Sequence, residues 1–320
     1  MKSESAKPER RIKSEIRMPK ATFVSDFGHS GLIRHSGFGF RILTDSMPII
    51  IKSRFEIERM RRAGQLGCEI LAKMRAAAVA GVTTQWLDDL AKSELDNAGA
   101  TALSKNYPTY RPNEGFPGHT CISINEEVVH GIPGPRTLKE GDIVTLDLAL
   151  SLDGYCADTA TTVGVGKISP ALQRLLDVTK ESLALALTNM RPGRRWSDVA
   201  RLIQHFVEKH GYNVVREFVG HGIGRGMHEE PKVPNFVTAE QLSGDFLLRR
   251  GMTLAVEPMV VAGRREVDLY RDGWTVFTVD RMPAAHFEHT VAITDSGVDI
   301  LTDGRPPLAD STVAVARTGA

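Results

Sequence analysis

From Phe55 onward the apolar positions keep a helical spacing. Ile57, Met60, Leu66, Ile70, Leu71 and Met74 predict a helix over 56–80. A second helix follows Gly81, carries Leu87, Leu90, Ala91 and Leu95, and ends near Gly99. The pattern returns later. Gly193 and Gly211 have the separation of Gly81 and Gly99, and Val199, Leu202, Ile203 and Val207 fall where the second helix's apolar residues fell. Upstream, Leu183 and Ala184 match Leu71 and Ala72, and strand-like segments follow each helix pair. The expectation is an α/β chain of the α+β kind, built of two duplicated halves with a site between them. Coincidence between amphipathic helices is the alternative.

Further on the period changes to two. In 142–150, Val144, Leu146, Leu148 and Leu150 face one side, with Thr145, Asp147 and Ala149 on the other. Asp153-Gly154 is a strong two-residue hairpin signal. That turn pairs Leu152 with Tyr155 and Ala149 with Asp158. Asp147 and Asp158 become diagonal neighbours on one face, their Cα atoms roughly 7–8 Å apart. Two acids this close take up a proton, attract a cation, or stand in water and repel mildly. The hairpin alone leaves these open.

Two later stretches favour the cation. The stretch 252–259 alternates with Thr253, Ala255 and Glu257 on one face, and 285–294 with Glu288, Thr290 and Ala292 on one face. Each is expected to be a strand that repeats an acid flanked by Thr or Ala over an apolar backing. Four such acids call for metal if they converge. The segment 220–231 adds His221 and His228 among glycines that let backbone approach a site closely. It has no G-x-G-x-x-G or P-loop pattern, so phosphate cradling is a weak reading. Carboxylates with one imidazole suit Mn, Fe, Co or Zn better than a soft metal.

Composition changes little. Apolar residues make up 42% and charged residues 25%, as in ordinary globular chains, and the net charge of +1 advertises no nucleic-acid or membrane partner. Cys68, Cys121 and Cys156 are odd in number and lack C-x-x-C spacing, which argues against a disulfide framework and fits a reducing cytoplasm. Residues 1–47 differ from the rest. Seven Lys or Arg fall within the first twenty residues, with no apolar signal-peptide core. This segment is expected to be a flexible basic extension, with a tether to ribosomal RNA as the sharper reading. A globular domain is expected over 48–303, and a flexible tail over 304–320.

Taken together, several segments resemble type I methionine aminopeptidases of the pita-bread fold. They are Cys121 to Pro133 with His130 inside it, the Asp147/Asp158 hairpin, 220–231, Val256-Glu257-Pro258 and Phe287-Glu288-His289-Thr290. The resemblance spans about 50–302. It implies two divalent metal ions, of Co, Mn, Fe or Zn, held by Asp147, Asp158, His221, Glu257 and Glu288. It implies that a hydroxide bridging them attacks the scissile carbonyl. Glu257 is then the proton shuttle, His228 the oxyanion donor, and His130 the contact to the scissile amide nitrogen. Phe116, Cys121, Trp274 and Met227 fall at methionine-pocket positions, with plain core as the alternative for Phe116 and Trp274. Met227 replaces the family's usual Phe, and Tyr110 to Glu114 departs from its pocket sequence.

The implied activity is removal of the initiator methionine from nascent chains whose second residue is small. The implied enzyme is a cytoplasmic monomer with no DNA or membrane partner. Only 35 residues separate His221 from Glu257, so the type II insertion is absent. No Cys precedes Cys68, so the zinc-binding extension of eukaryotic cytosolic type I enzymes is absent too, and a bacterial-like enzyme is implied. The rival readings are a prolidase or Xaa-Pro aminopeptidase on the same fold, and a non-catalytic relative that binds ribosomes or RNA.

Overall fold

The computed structural model describes residues 48–108 and 115–305. The basic extension 1–47, the pocket stretch Tyr110 to Glu114 and the tail from 306 lie outside the described residues. Gly304 and Arg305, expected in that tail, are described. Arg305 bonds Asp303 at 2.5 Å and Asp299 at 2.9 Å.

The first helix runs Arg54–Ala77. It starts earlier than the apolar spacing suggests because Ser53 and Glu56 form a capping box: the Glu56 amide donates to Ser53 Oγ, and the Ser53 amide donates to Glu56 Oε2. The second helix, Thr84–Ala98, is closed by Gly99 in the left-handed conformation. Their apolar faces cover a four-stranded antiparallel sheet containing Cys121–Ile124, Ile143–Leu152 and Tyr155–Gly164. Ile70, Met74, Leu87 and Leu95 pack there against Val144, Leu146, Leu148 and Leu150. A second core lies between the helices Pro170–Asn189 and Trp196–Lys209 and the later strands. Those strands include a five-stranded antiparallel sheet in which Thr253–Val256 pairs with both Gly220–Gly222 and His289–Ile293.

The duplication is visible in backbone bonds. Gly81 donates to the Leu138 carbonyl and Gly193 to the Leu248 carbonyl, each at 2.9 Å. Leu138 answers to Val82 at 2.8 Å, and Leu248 to Arg194 at 2.9 Å. Nine residues past Leu138 stands Asp147, and nine past Leu248 stands Glu257. The two acids therefore hold matching places in the two halves.

The Asp153-Gly154 hairpin turn has φ values of 53° and 76°, the type I′ pattern. It sets the expected register, with Leu152 opposite Tyr155 and Ala149 opposite Asp158. The two later stretches need correction, because neither is one strand. Thr253–Val256 ends at Glu257-Pro258, and Met259–Val261 continues in a different sheet. Ala284–His286 likewise ends before Phe287-Glu288, and His289–Ile293 resumes in the five-stranded sheet. Pro258 has no N–H for the ladder, so pairing stops where the chain changes sheets. No described helix is long and apolar enough to cross a membrane. All three cysteines are free.

Candidate metal centre

Both strand breaks deliver an acid to one place. The Glu288 amide donates to the Ala160 carbonyl at 3.0 Å, which ties the second break to the Tyr155–Gly164 strand. The Thr290 hydroxyl closes the join. It accepts from the Asp158 amide at 2.9 Å and lies 2.8 Å from the Asp158 carbonyl. Asp158, Glu257 and Glu288 are buried, and Asp147 is half-buried opposite Cys121 and Ala160.

His221 enters from the short strand Gly220–Gly222. Its Nδ1 lies 2.9 Å from the Gly222 carbonyl, which can only accept, so this nitrogen carries the proton. Nε2 is left with a bare lone pair, 3.6 Å from Glu257 Oε1 and 3.9 Å from Asp158 Oδ2. Such a carbonyl partner fixes the tautomer that a metal-ligating imidazole needs. A Cβ at position 222 would land on the Glu230 carbonyl, so only glycine lets the chain fold back here.

The electrostatics agree. Burial raises the Asp147 carboxyl to about 7. Burial and then the Asp147 charge raise Asp158 well above the ordinary carboxylate range. Burial followed by neighbouring carboxylates does the same to Glu257 and Glu288. Burial, then His228, holds His221 down to about 3.

Asp158, His221 and Glu288 each bring a donor atom into a cluster whose members lie within 4.8 Å of one another. Asp158 Oδ1 and Glu288 Oε1 are buried with no hydrogen-bond partner. Crowded acids with bare buried oxygens beside a bare imidazole nitrogen fit a cation. The residues present therefore suit divalent metal.

Of the two expected catalytic histidines, His228 borders this cluster and His130 lies within electrostatic reach of His228. His228 stacks edge-on to His221, ring centroids 4.3 Å apart. His130 sits at φ 58°, an uncommon conformation for a non-glycine residue. It packs edge-on against Phe218 at 5.4 Å. Burial, and then His228, hold it down to about 4. Of the expected pocket residues, Phe116 is 2% exposed and meets Trp274 edge-to-face at 5.2 Å. Cys121 faces Asp147 across the ladder, and Met227 is half-buried beside His228.

Three residues stand out that the apolar and polar pattern did not single out. Tyr107 places its hydroxyl 2.8 Å from His228 Nδ1. Lys52 pairs in a buried position with Glu229, whose other oxygen accepts from the Arg225 amide at 3.0 Å and the Gly226 amide at 3.1 Å. This clamps the glycine-rich turn that carries His228. His286 sits against Glu257. Its position two residues before Glu288 was a readable signal, since alternation puts both on one face.

Residues 58–295 match the model of metallopeptidase family M24. Methionine aminopeptidase 1 of Bacillus subtilis is 43% identical over 254 residues, 79% of this chain and 99% of that one. The crystal structure of methionine aminopeptidase from Thermotoga maritima superposes with a TM-score of 0.75 at 41% identity, covering 80% of this chain and 99% of that one. The prolidase from Pyrococcus furiosus shares the fold at 19% identity and a TM-score of 0.64, with 66% of its chain covered.

Proposed function

The chain belongs to metallopeptidase family M24, and from that membership we propose that it is an aminopeptidase that removes the initiator methionine from nascent proteins when the next residue is small. The observation that carries this reading is the buried Asp158–His221–Glu288 cluster with its bare oxygens. In this reading Asp147, Asp158, His221, Glu257 and Glu288 hold two divalent ions, of Co, Mn, Fe or Zn. Bound there, the ions supply Lewis acidity, which makes water a nucleophile at neutral pH and polarises the scissile carbonyl.

The chain's own groups do the rest. The Glu257 carboxylate accepts the proton that the attacking water loses and carries it toward the leaving nitrogen. His228 donates from Nε2 to the carbonyl oxygen as charge builds there. His130 meets the scissile amide nitrogen. Phe116 and Trp274 offer ring edges and faces to a methionine thioether, with Cys121 and Met227 at the pocket's border. The enzyme works as a cytoplasmic monomer. Its basic segment before residue 48 serves as an electrostatic tether to ribosomal RNA.

The test uses Met-Ala-Ser, Met-Lys-Ser and Ala-Pro-Ser peptides, with and without chelator. Methionine release from the first peptide alone, abolished by chelator, is expected. Cleavage of Ala-Pro-Ser, or indifference to chelator, would overturn the reading.

A further inference from the structure

The Glu257 carboxylate lies between two imidazoles. Oε1 is 3.6 Å from His221 Nε2, and Oε2 is 3.7 Å from His286 Nε2. Both gaps are too long for hydrogen bonds. Both match two donors sharing one cation through bonds of about 2.0–2.2 Å. His221 belongs to the three-residue cluster already described and Glu257 to the proposed five-residue ligand set. His286 belongs to neither.

His286 is 2% exposed, and neither ring nitrogen has a hydrogen-bond partner. Burying a polar ring without partners is unfavourable, so its retention here asks for a ligand. The backbone cannot carry the ring away. The His286 amide donates to Thr162 Oγ1 at 2.8 Å, its carbonyl lies 2.9 Å from the same hydroxyl, and the residue pairs with Met259. The imidazole is therefore held at the strand break, facing Glu257.

We propose that His286 is a further metal-ligating residue. With Glu257 Oε2 it forms a nitrogen–oxygen subsite beside the five-residue cluster, for a borderline divalent transition metal such as Co or Zn. An imidazole donor disfavours Mg and Ca, which prefer all-oxygen surroundings. The proposal rests on the metallopeptidase reading and adds a donor pair and one ion to it.

The experiment titrates the whole metal-free chain with Co2+, following heat and visible absorption, alongside His286→Gln. Wild type is expected to take up one more Co2+ per chain than the variant, with a separate change in the visible bands at that step. A second measurement needs no variant. Wild type carrying 15N-labelled histidine should show a hyperfine-shifted His286 ring only after the last ion binds. Equal uptake by both proteins, or an unshifted His286 ring at full loading, would overturn the subsite and leave the aminopeptidase reading standing. Absence of Co2+ uptake by either protein overturns both.

Discussion

The two halves deliver the same chemistry by different backbone means. In the first, Asp147 and Asp158 sit inside ten-residue strands joined by a tight hairpin, and the ladder runs unbroken past both. In the second, Glu257 and Glu288 sit in gaps where the chain leaves one sheet for another. Asp147 and Glu257 nonetheless stand at matching distances from Leu138 and Leu248, whose backbone bonds repeat across the halves. A duplicated frame has kept the place of the acid while the strand around it changed. The unbroken half fixes its acids by register. The interrupted half fixes Glu288 by cross-bonds to the first, through Glu288 to Ala160 and Thr290 to Asp158, while the Glu257 carbonyl accepts from Asn235 at 3.0 Å within its own half.

The comparison breaks if one half dominates the chemistry. Asp158→Asn and Glu288→Gln are each expected to lower kcat/KM by roughly a thousandfold or more. A metal's several kcal/mol of charge stabilisation, at about 1.4 kcal/mol per decade, sets that scale. Circular dichroism should stay unchanged. A loss confined to the Asp158 variant would show that the second half is scaffold. Next in size is His228→Ala, with kcat down about 100-fold, the cost of losing one oxyanion donor. Metal content measured after gel filtration should be unaltered, which separates His228 from the ligands.

This contrast also explains what was legible in the sequence. The helices and the hairpin register follow from spacing, since Ile70, Leu87 and Val199 each sit on the buried side of a regular element. The register places Asp147 and Asp158 without further help. Around Glu257 and Glu288, alternation identifies the acids but overextends the strands, because it carries no information about which sheet a segment joins. Pro258 was the available warning. Tyr107 and Lys52 could not be read from spacing at all. They act on the His228 turn from loops far away in the chain. His286 is legible from its place two residues before Glu288.

A smaller effect sharpens the comparison through pH. The raised carboxyls come from both halves, so the metal-free fold holds extra protons, with Asp147 releasing its own near 7. Groups raised in this way make stability fall as pH rises through the folded value. The lowered histidines act oppositely, chiefly below their ordinary value of about 6.5. Between pH 6.5 and 8 that opposing effect dies away as the unfolded histidines lose their protons, and the carboxyls dominate. The melting temperature of chelator-treated protein should fall by roughly 5 °C across that window, on the scale of a few °C per kcal/mol. Metal-loaded protein should stay flat, since bound cations keep the acids ionised throughout. A rising or level curve for the metal-free protein would mean that the four carboxyls do not share their protons.

The smallest effect concerns Tyr107, which reaches the site from the segment between the second helix and the Cys121–Ile124 strand. Burial raises its phenol above the ordinary value, so the hydroxyl keeps its proton at neutral pH. The hydroxyl lies 2.8 Å from His228 Nδ1; in the proposed reading it donates there, which confines the proton of the neutral imidazole to Nε2. In the proposed function that is the nitrogen which donates to the substrate carbonyl. Tyr107→Phe removes the hydroxyl and keeps the ring, including its edge-on packing at 5.4 Å. His228 then divides its proton between the two nitrogens. The cost is one modest hydrogen bond, of about 1 kcal/mol, so kcat should fall roughly fivefold at that exchange of about 1.4 kcal/mol per decade. KM and metal content should hold. Nitrogen chemical shifts of the His228 ring should move toward a mixture of tautomers. A change in KM with kcat preserved, or a ring that keeps its single tautomer, would mean that Tyr107 shapes the pocket and leaves the donor's proton alone.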